Sequence, residues 1–213
     1  MIQLKTDFKT IEISVYFSDL DQKKYSVHRY LLPRLLISHT NNIKSKKEMS
    51  ERLENLYGAQ LIPRLERIGN LSVLSMTLSI VNPKIVNDDK LLDEALDVFH
   101  QVLFEHDHFD VDLFQIEKKN IIESWEILKD RKRSYASYEF SRLFFEGDSM
   151  GYPISGTLND IKKINVHDME HYYHEVFLNQ PKRLIVNGKV EDNDLDKIKK
   201  LDINHDVFKF QLQ

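Results

Sequence analysis

The apolar side chains of residues 25–40 cover more than one face of a helix. The segment reads YSVHRYLLPRLLISHT, and its apolar positions include Tyr30, Leu31, Leu32, Leu35, Leu36 and Ile37. A surface helix carries a single apolar stripe, so this wider distribution predicts a helix buried in the body of the domain. Tyr30, Pro33 and Arg34 are spaced to project together from one face of it.

Alternation of apolar and polar residues predicts the strands. They are expected at residues 8–18, 60–67, 71–81 and 183–190, and residues 1–5 open on a similar pattern. Pro63 has no backbone N–H to donate to a ladder of hydrogen bonds. The strand that contains it is therefore expected at the edge of a sheet.

Capping residues and longer apolar periodicities predict the other helices. They are expected at 45–57, closed by Gly58; from Asp88 or Asp89 to 106; at 110–145 with a break within 129–134; at 166–178 after an Asn165 cap; and at 192–201. Strands interleaved with helix pairs indicate an α+β fold. We expect a mostly antiparallel sheet of about five or six strands, with helices packed on one face.

Several segments, taken in order, resemble one known family. They are the helix at 25–40, FQIEKKNIIESWEIL at 114–128, GYPISGTLNDIKKINVHDMEHYYHEVF at 151–177 and RLIVNGKVED at 183–192. Together they resemble one N-terminal-type domain of the insulinase/pitrilysin family of zinc peptidases, the inverzincins. The resemblance implies a single insulinase-like domain at 1–201, with a tail or the start of a linker to a second domain at 202–213.

Active members of that family carry H-x-x-E-H on the helix equivalent to 25–40. The two histidines bind zinc, the Glu is the general base, and a Glu on a later helix completes the site. The resemblance places Tyr30, Pro33 and Arg34 at the motif positions and Ser124 at the later ligand. A shift of one residue would put Glu123 there but would not restore the histidines.

The resemblance therefore implies a catalytically inactive domain without metal or cofactor. It is most similar to the motif-less member of the paired insulinase-like proteins of Gram-positive bacteria. The implied partner is an active insulinase-like paralogue or a second copy forming a dimer. A scaffold or assembly protein without affinity for peptides is an alternative.

A literal H-x-x-E-H does occur elsewhere, as His167, Glu170 and His171. An active zinc metallopeptidase with His167 and His171 as ligands is therefore a rival hypothesis. The apolar positions of that segment define another helix face, which favours solvent-exposed histidines. His106 and His108 fall at a predicted helix end, and Glu117 has the spacing of a solvated charge pair with nearby lysines.

The edge strand is the candidate ligand surface. In the resembled peptidases the substrate adds a strand to a sheet edge, and backbone pairing of this kind needs no zinc. The resemblance thus implies an extended peptide bound along Gln60, Leu61, Ile62, Pro63 and Arg64. An ordinary protected edge strand is the alternative.

Composition narrows the function classes further. A net charge of −4 gives no basic surface for nucleic acid. No apolar run approaches the roughly 18 residues of a membrane span. The absence of cysteine excludes disulfides and thiolate metal sites and fits a reducing compartment, so a cytoplasmic location is expected.

Overall fold

A computed structural model, which describes residues 1–201, contains a five-stranded mixed sheet. Its strands are β1 (Ile2–Leu4), β2 (Thr10–Leu20), β3 (Gln60–Ile68), β4 (Leu71–Val81) and β5 (Lys182–Asn187). The spatial order is β1-β5-β2-β4-β3; β1 runs parallel to β5 and all the other neighbours are antiparallel. The predicted α+β fold and the edge position of β3 are confirmed. The predicted tail or linker at 202–213 lies outside the described residues.

Most of the helices lie where the sequence pattern predicts them, but the short helices at 83–86 and 158–163 were not predicted. They are α1 (Ser26–Leu36), α2 (Lys46–Asn55), α3 (Pro83–Val86), α4 (Leu91–Phe104), α5 (Val111–Asp130), α6 (Lys132–Phe144), α7 (Leu158–Lys163), α8 (Val166–His171) and α9 (Asp192–Lys199). The predicted break between α5 and α6 falls at Arg131. A π-helical turn, Tyr172–Phe177, extends α8. No helix within residues 1–201 is long and apolar enough to cross a bilayer.

The predicted start of α4 was wrong. The helix begins at Leu91, and its N-cap is Lys90 rather than Asp88 or Asp89. The Asp88 carboxylate instead accepts a hydrogen bond from the backbone N–H of Lys90, at 3.0 Å, which forms a turn before the helix. Aspartate supports such turns as readily as it caps helices, and the sequence alone does not separate the two.

The core lies between the helices and one face of the sheet. Alternate side chains of β2 and β4 are buried there: Ile11, Ile13, Val15, Phe17, Leu74, Met76, Leu78 and Ile80. The opposite face carries hydroxyl groups, and the Ser14 and Thr77 hydroxyls are 2.8 Å apart across the two strands. Period-two alternation therefore sets which side of the sheet the helices cover.

A buried ion cluster joins α1 to the sheet. The Asp21 carboxylate, directly after β2, accepts hydrogen bonds from Arg29 of α1 and Arg67 of β3. The Arg29 guanidinium also donates to the backbone carbonyl of Gln22 at 2.9 Å. The side chains of Arg29 and Asp21 are only 4% and 3% exposed, so each charge depends on the other for compensation.

We expect Asp21→Ala to lower the free energy of unfolding by about 3 kcal/mol, because it leaves two guanidinium groups without their carboxylate. Urea denaturation at pH 7 measures the change. The control is Asp93→Ala, which breaks an exposed pair with Lys197 and should cost less than about 0.5 kcal/mol. Equal effects of the two substitutions would exclude a structural role for the cluster.

Candidate functional site

A groove of about 330 Å³ opens between α1, α2, α5 and the edge strand β3. Its lining residues are Arg34, Ile37, Ser38, Lys46, Met49, Ser50, Leu53, Leu61 and Glu117. The Ser45 side chain caps α2 by accepting a hydrogen bond from the backbone N–H of Glu48, which fixes where that helix begins and where Lys46 lies. The groove thus combines part of the edge strand with three charged side chains.

Glu117 is the buried acid of this groove. Its side chain is 7% exposed, and Oε1 accepts a hydrogen bond from Lys46 Nζ at 2.6 Å. The other oxygen, Oε2, lies 3.7 Å from Arg34 Nη1. One carboxylate is therefore held between two cations from two other helices.

The sequence interpretation of Glu117 as a solvated charge pair was wrong. Its cations come from α1 and α2, far away in the chain, whereas helix spacing reveals only neighbours three or four residues apart. The same spacing argument is confirmed for Lys119 and Glu123, whose charged atoms are 3.6 Å apart. The two glutamates differ because they lie on different faces of α5. Glu117 is on the buried face and Glu123 is on the exposed face.

Of the α1 face predicted from the sequence, Arg34 lines this groove. Arg34 Nη2 donates a 3.4 Å hydrogen bond to the Tyr30 hydroxyl, and its guanidinium carbon lies 5.0 Å from the centre of the Tyr30 ring. Pro33 is buried beside them. Ser124 lies on α5, as Glu117 does, but it is exposed and its hydroxyl donates to the Asn120 carbonyl at 2.8 Å. The acidic side chain of α5 that pairs with Arg34 of α1 is therefore Glu117.

The side chains of this groove do not fit a zinc ion. Zinc takes imidazole, thiolate or carboxylate ligands, and a guanidinium offers no acceptor atom. Pro33 has no ligand group, and Glu117 is already paired with Arg34 and Lys46. No step of a zinc-dependent reaction can be assigned to these residues.

The second H-x-x-E-H lies at the surface. The side chain of His167 is 89% exposed, and its Nδ1 is 3.8 Å from Glu170 Oε2. His171 is exposed as well. Glu170 Oε1 accepts a hydrogen bond from the backbone N–H of Phe109 at 3.2 Å, so it ties α8 to the segment before α5. Within residues 1–201, no three His, Cys, Asp or Glu side chains are grouped to hold a metal ion.

His106 is a core residue. It is 3% exposed, its Nε2 lies 3.0 Å from the Val102 carbonyl, and its ring packs against Phe109 and Tyr173. Burial lowers the pKa of His106 from 6.5 to about 4, because the charged imidazolium would lose its hydration. Its position after α4 was predicted, but its burial was not.

The other edge of β3 is open among the described residues, because β3 pairs only with β4. Leu61 pairs with Leu78 and Pro63 with Met76, so both side chains face the helical layer. Gln60 and Arg64 are exposed, and Ile62 is half-buried on the opposite face. A proline fits an edge strand when its missing N–H falls on the open side.

Comparisons with known proteins agree on the fold. No family model matches the chain. The fold is similar to a conserved protein from Enterococcus faecalis, with 25% identity and a TM-score of 0.86 over 95% of this chain and 49% of that one. It is also similar to a peptidase M16 inactive domain from Pseudomonas fluorescens, with 15% identity and a TM-score of 0.73 over 92% and 45% of the two chains. The chain is therefore an insulinase-like metallopeptidase domain in its fold.

The sequence comparison points to inactive members of this class. The chain is 24% identical over 196 residues to the "Probable inactive metalloprotease YmfF" of Bacillus subtilis. The match covers 89% of this chain and 46% of that protein, so the chain spans about half the length of its curated relative. The resemblance to an inactive insulinase-like paralogue is confirmed.

We expect stability to fall as the pH is lowered from 6.5 toward 4. In that range the unfolded chain binds a proton at residue 106 and the folded chain does not, which costs about 2 kcal/mol at pH 5 relative to pH 7. His106→Phe should remove that part of the loss, as measured by urea denaturation at both pH values. His167→Gln, at an exposed position, should keep the wild-type pH dependence. An unchanged pH dependence in His106→Phe would contradict the assignment.

Proposed function

We propose that this chain is a catalytically inactive insulinase-like domain that binds extended peptides along β3 and pairs with another peptidase-like domain. The observation that carries the proposal is the Glu117 carboxylate held by Arg34 and Lys46. Arg34 is one of the positions at which the resemblance implies the lost zinc motif. Similarity to a probable inactive metalloprotease supports the same interpretation.

A serine–histidine contact lies beside the groove, but it is not arranged for hydrolysis. Pro33, where the resemblance implies the general base of the active peptidases, provides no proton acceptor. The Ser38 hydroxyl lies 3.1 Å from His39 Nδ1, but it is buried and hydrogen-bonded to the Leu35 carbonyl. A nucleophile must reach its substrate, so this Ser–His contact is structural.

Peptide binding is supported by the position of β3. Its open edge extends over Gln60–Ile68, and Leu61 of the same strand lines the groove. A peptide that added a strand there would form backbone hydrogen bonds with β3 and pass beside α1 and α2. Such binding needs an open edge and no catalytic group.

Pairing with another domain is supported by an exposed apolar face of α6. Phe140, Leu143 and Phe144 are 62%, 60% and 68% exposed, and their spacing puts them on one face of the helix. The Phe140 and Phe144 rings are stacked, with centres 5.3 Å apart. A cluster of large exposed apolar side chains is typical of an interface. The partner we propose is a second insulinase-like domain.

We expect extended peptides to bind through one backbone edge and to remain uncleaved. The probe is a fluorescein-labelled pool of peptides of about ten residues with alternating Thr and Val. N-methylation of every second residue removes the N–H groups of one edge, and shifting it by one residue removes those of the other. One pattern should weaken binding about tenfold and the other should leave it unchanged, as measured by fluorescence anisotropy.

Equal loss with both methylation patterns would contradict strand addition. Mass spectrometry of the peptides after incubation with added zinc tests for cleavage. Metal analysis of the protein purified without a His tag should find far less than one zinc per chain. Stoichiometric zinc that is lost in His167→Ala would instead favour the active-peptidase alternative.

We expect the full chain to self-associate through α6 and Phe144→Asp to weaken the association about tenfold, because it puts a charge into an apolar contact. Sedimentation velocity over a concentration series measures the dissociation constant. Phe8→Asp is the matched control, since Phe8 is 61% exposed and lies outside α6. Association that is insensitive to Phe144→Asp, or equally sensitive to Phe8→Asp, would exclude this face.

A further inference from the structure

We infer that the groove selects extended peptides carrying an acidic side chain, which Arg34 and Lys46 bind together. The inference rests on the proposed peptide binding and adds the chemical class of the ligand. It follows from the charges of the groove, from the unused hydrogen-bond donors of Arg34 and from the direction in which β3 would orient an added strand.

The ionisable side chains that line the groove leave it with an excess positive charge. Arg34 and Lys46 contribute two cations, and Glu117 contributes one carboxylate. Glu117 is buried below them, whereas the side chains of Arg34 and Lys46 are 42% and 55% exposed. Both cations are therefore within reach of a ligand, and one acidic side chain would balance the charge.

Arg34 has hydrogen-bond donors that are available to a ligand. A guanidinium carries five N–H donors, and among the described residues Arg34 uses one of them, in the long bond to Tyr30. Its contact with Glu117 is an ion pair at 3.7 Å, beyond hydrogen-bond distance. The Tyr30 ring and Glu117 hold the guanidinium in place, and its remaining N–H groups are available to a ligand. A guanidinium binds a carboxylate in a bidentate geometry, through two parallel hydrogen bonds.

The edge strand would bring a peptide side chain to these cations. Leu61 faces the helical layer and lines the groove beside Arg34 and Lys46. An added strand is pleated in register with β3, so every second side chain of the peptide points to the same layer. The peptide residue beside Leu61 then has its side chain in the groove. Leu53 and Leu61 provide apolar contacts for the methylene groups of a glutamate.

The test uses three fluorescein-labelled pools of extended peptides on the full chain, identical except for one fixed central residue. That residue is Glu, Gln or Lys, and all C termini are amidated so that the side chain provides the only fixed carboxylate. We expect the Glu pool to bind about tenfold more tightly than the Gln pool and the Lys pool to bind most weakly. Arg34→Gln and Lys46→Gln should each reduce the preference for Glu over Gln.

Lys47→Gln is the matched control, because Lys47 is the next residue of α2 and its side chain is 86% exposed, outside the groove. It removes the same charge and should leave the preference unchanged. Arg34→Lys keeps the charge but loses the bidentate geometry, so the preference for Glu over Gln should fall only in part. Circular dichroism confirms that each variant is folded.

The outcomes separate this inference from the proposed function. If all three pools bind equally well, peptide binding stands and the acidic preference is wrong. A preference for Glu that survives in Arg34→Gln and Lys46→Gln, or that falls as much in Lys47→Gln, also overturns it. If a Gln pool with a free C terminus matches the amidated Glu pool, the groove binds a terminal carboxylate instead. If no pool binds, both proposals fail.

Discussion

The candidate site depends on the ion cluster around Asp21. Arg29 connects α1 to the end of β2 through this carboxylate, and Arg67 connects the edge strand β3 to the same group. Because both arginines share one acid, the helix and the edge strand cannot shift independently. Arg34 lies little more than one helical turn beyond Arg29, and Leu61 lies on the strand that Arg67 anchors. The cluster therefore holds α1, which carries Arg34, against β3, which carries Leu61.

Two side-chain cations beside a buried acid do different chemistry from a metal ion. A zinc ion lowers the pKa of bound water and polarises a carbonyl. Arg34 and Lys46 attract anions but provide no coordination site for water. The groove therefore carries excess positive charge and lies beside an edge strand.

Much of the fold could be predicted from the sequence because its signals are local. Ser45 and Asp110 cap helices where their positions indicate, and apolar periodicity located α1 in the core. The pairing of Glu117 with Arg34 and Lys46 could not be predicted, since it joins residues from three helices. The resemblance drew attention to Arg34 and to the later helix, where it implies Ser124 as the family ligand position, and it gave no sign of the contact with Glu117. Only packing shows that Glu117 is the carboxylate facing α1.

Pro63 has a consequence for how molecules of this chain meet in concentrated solution. An exposed sheet edge is a template on which identical copies can stack into fibrils. The proline ring interrupts the row of N–H donors near the middle of β3, between Leu61 and Leu65. A self-templating stack of identical strands would repeat this defect in every layer. The missing N–H of Pro63 therefore disfavours amyloid-like growth from this edge.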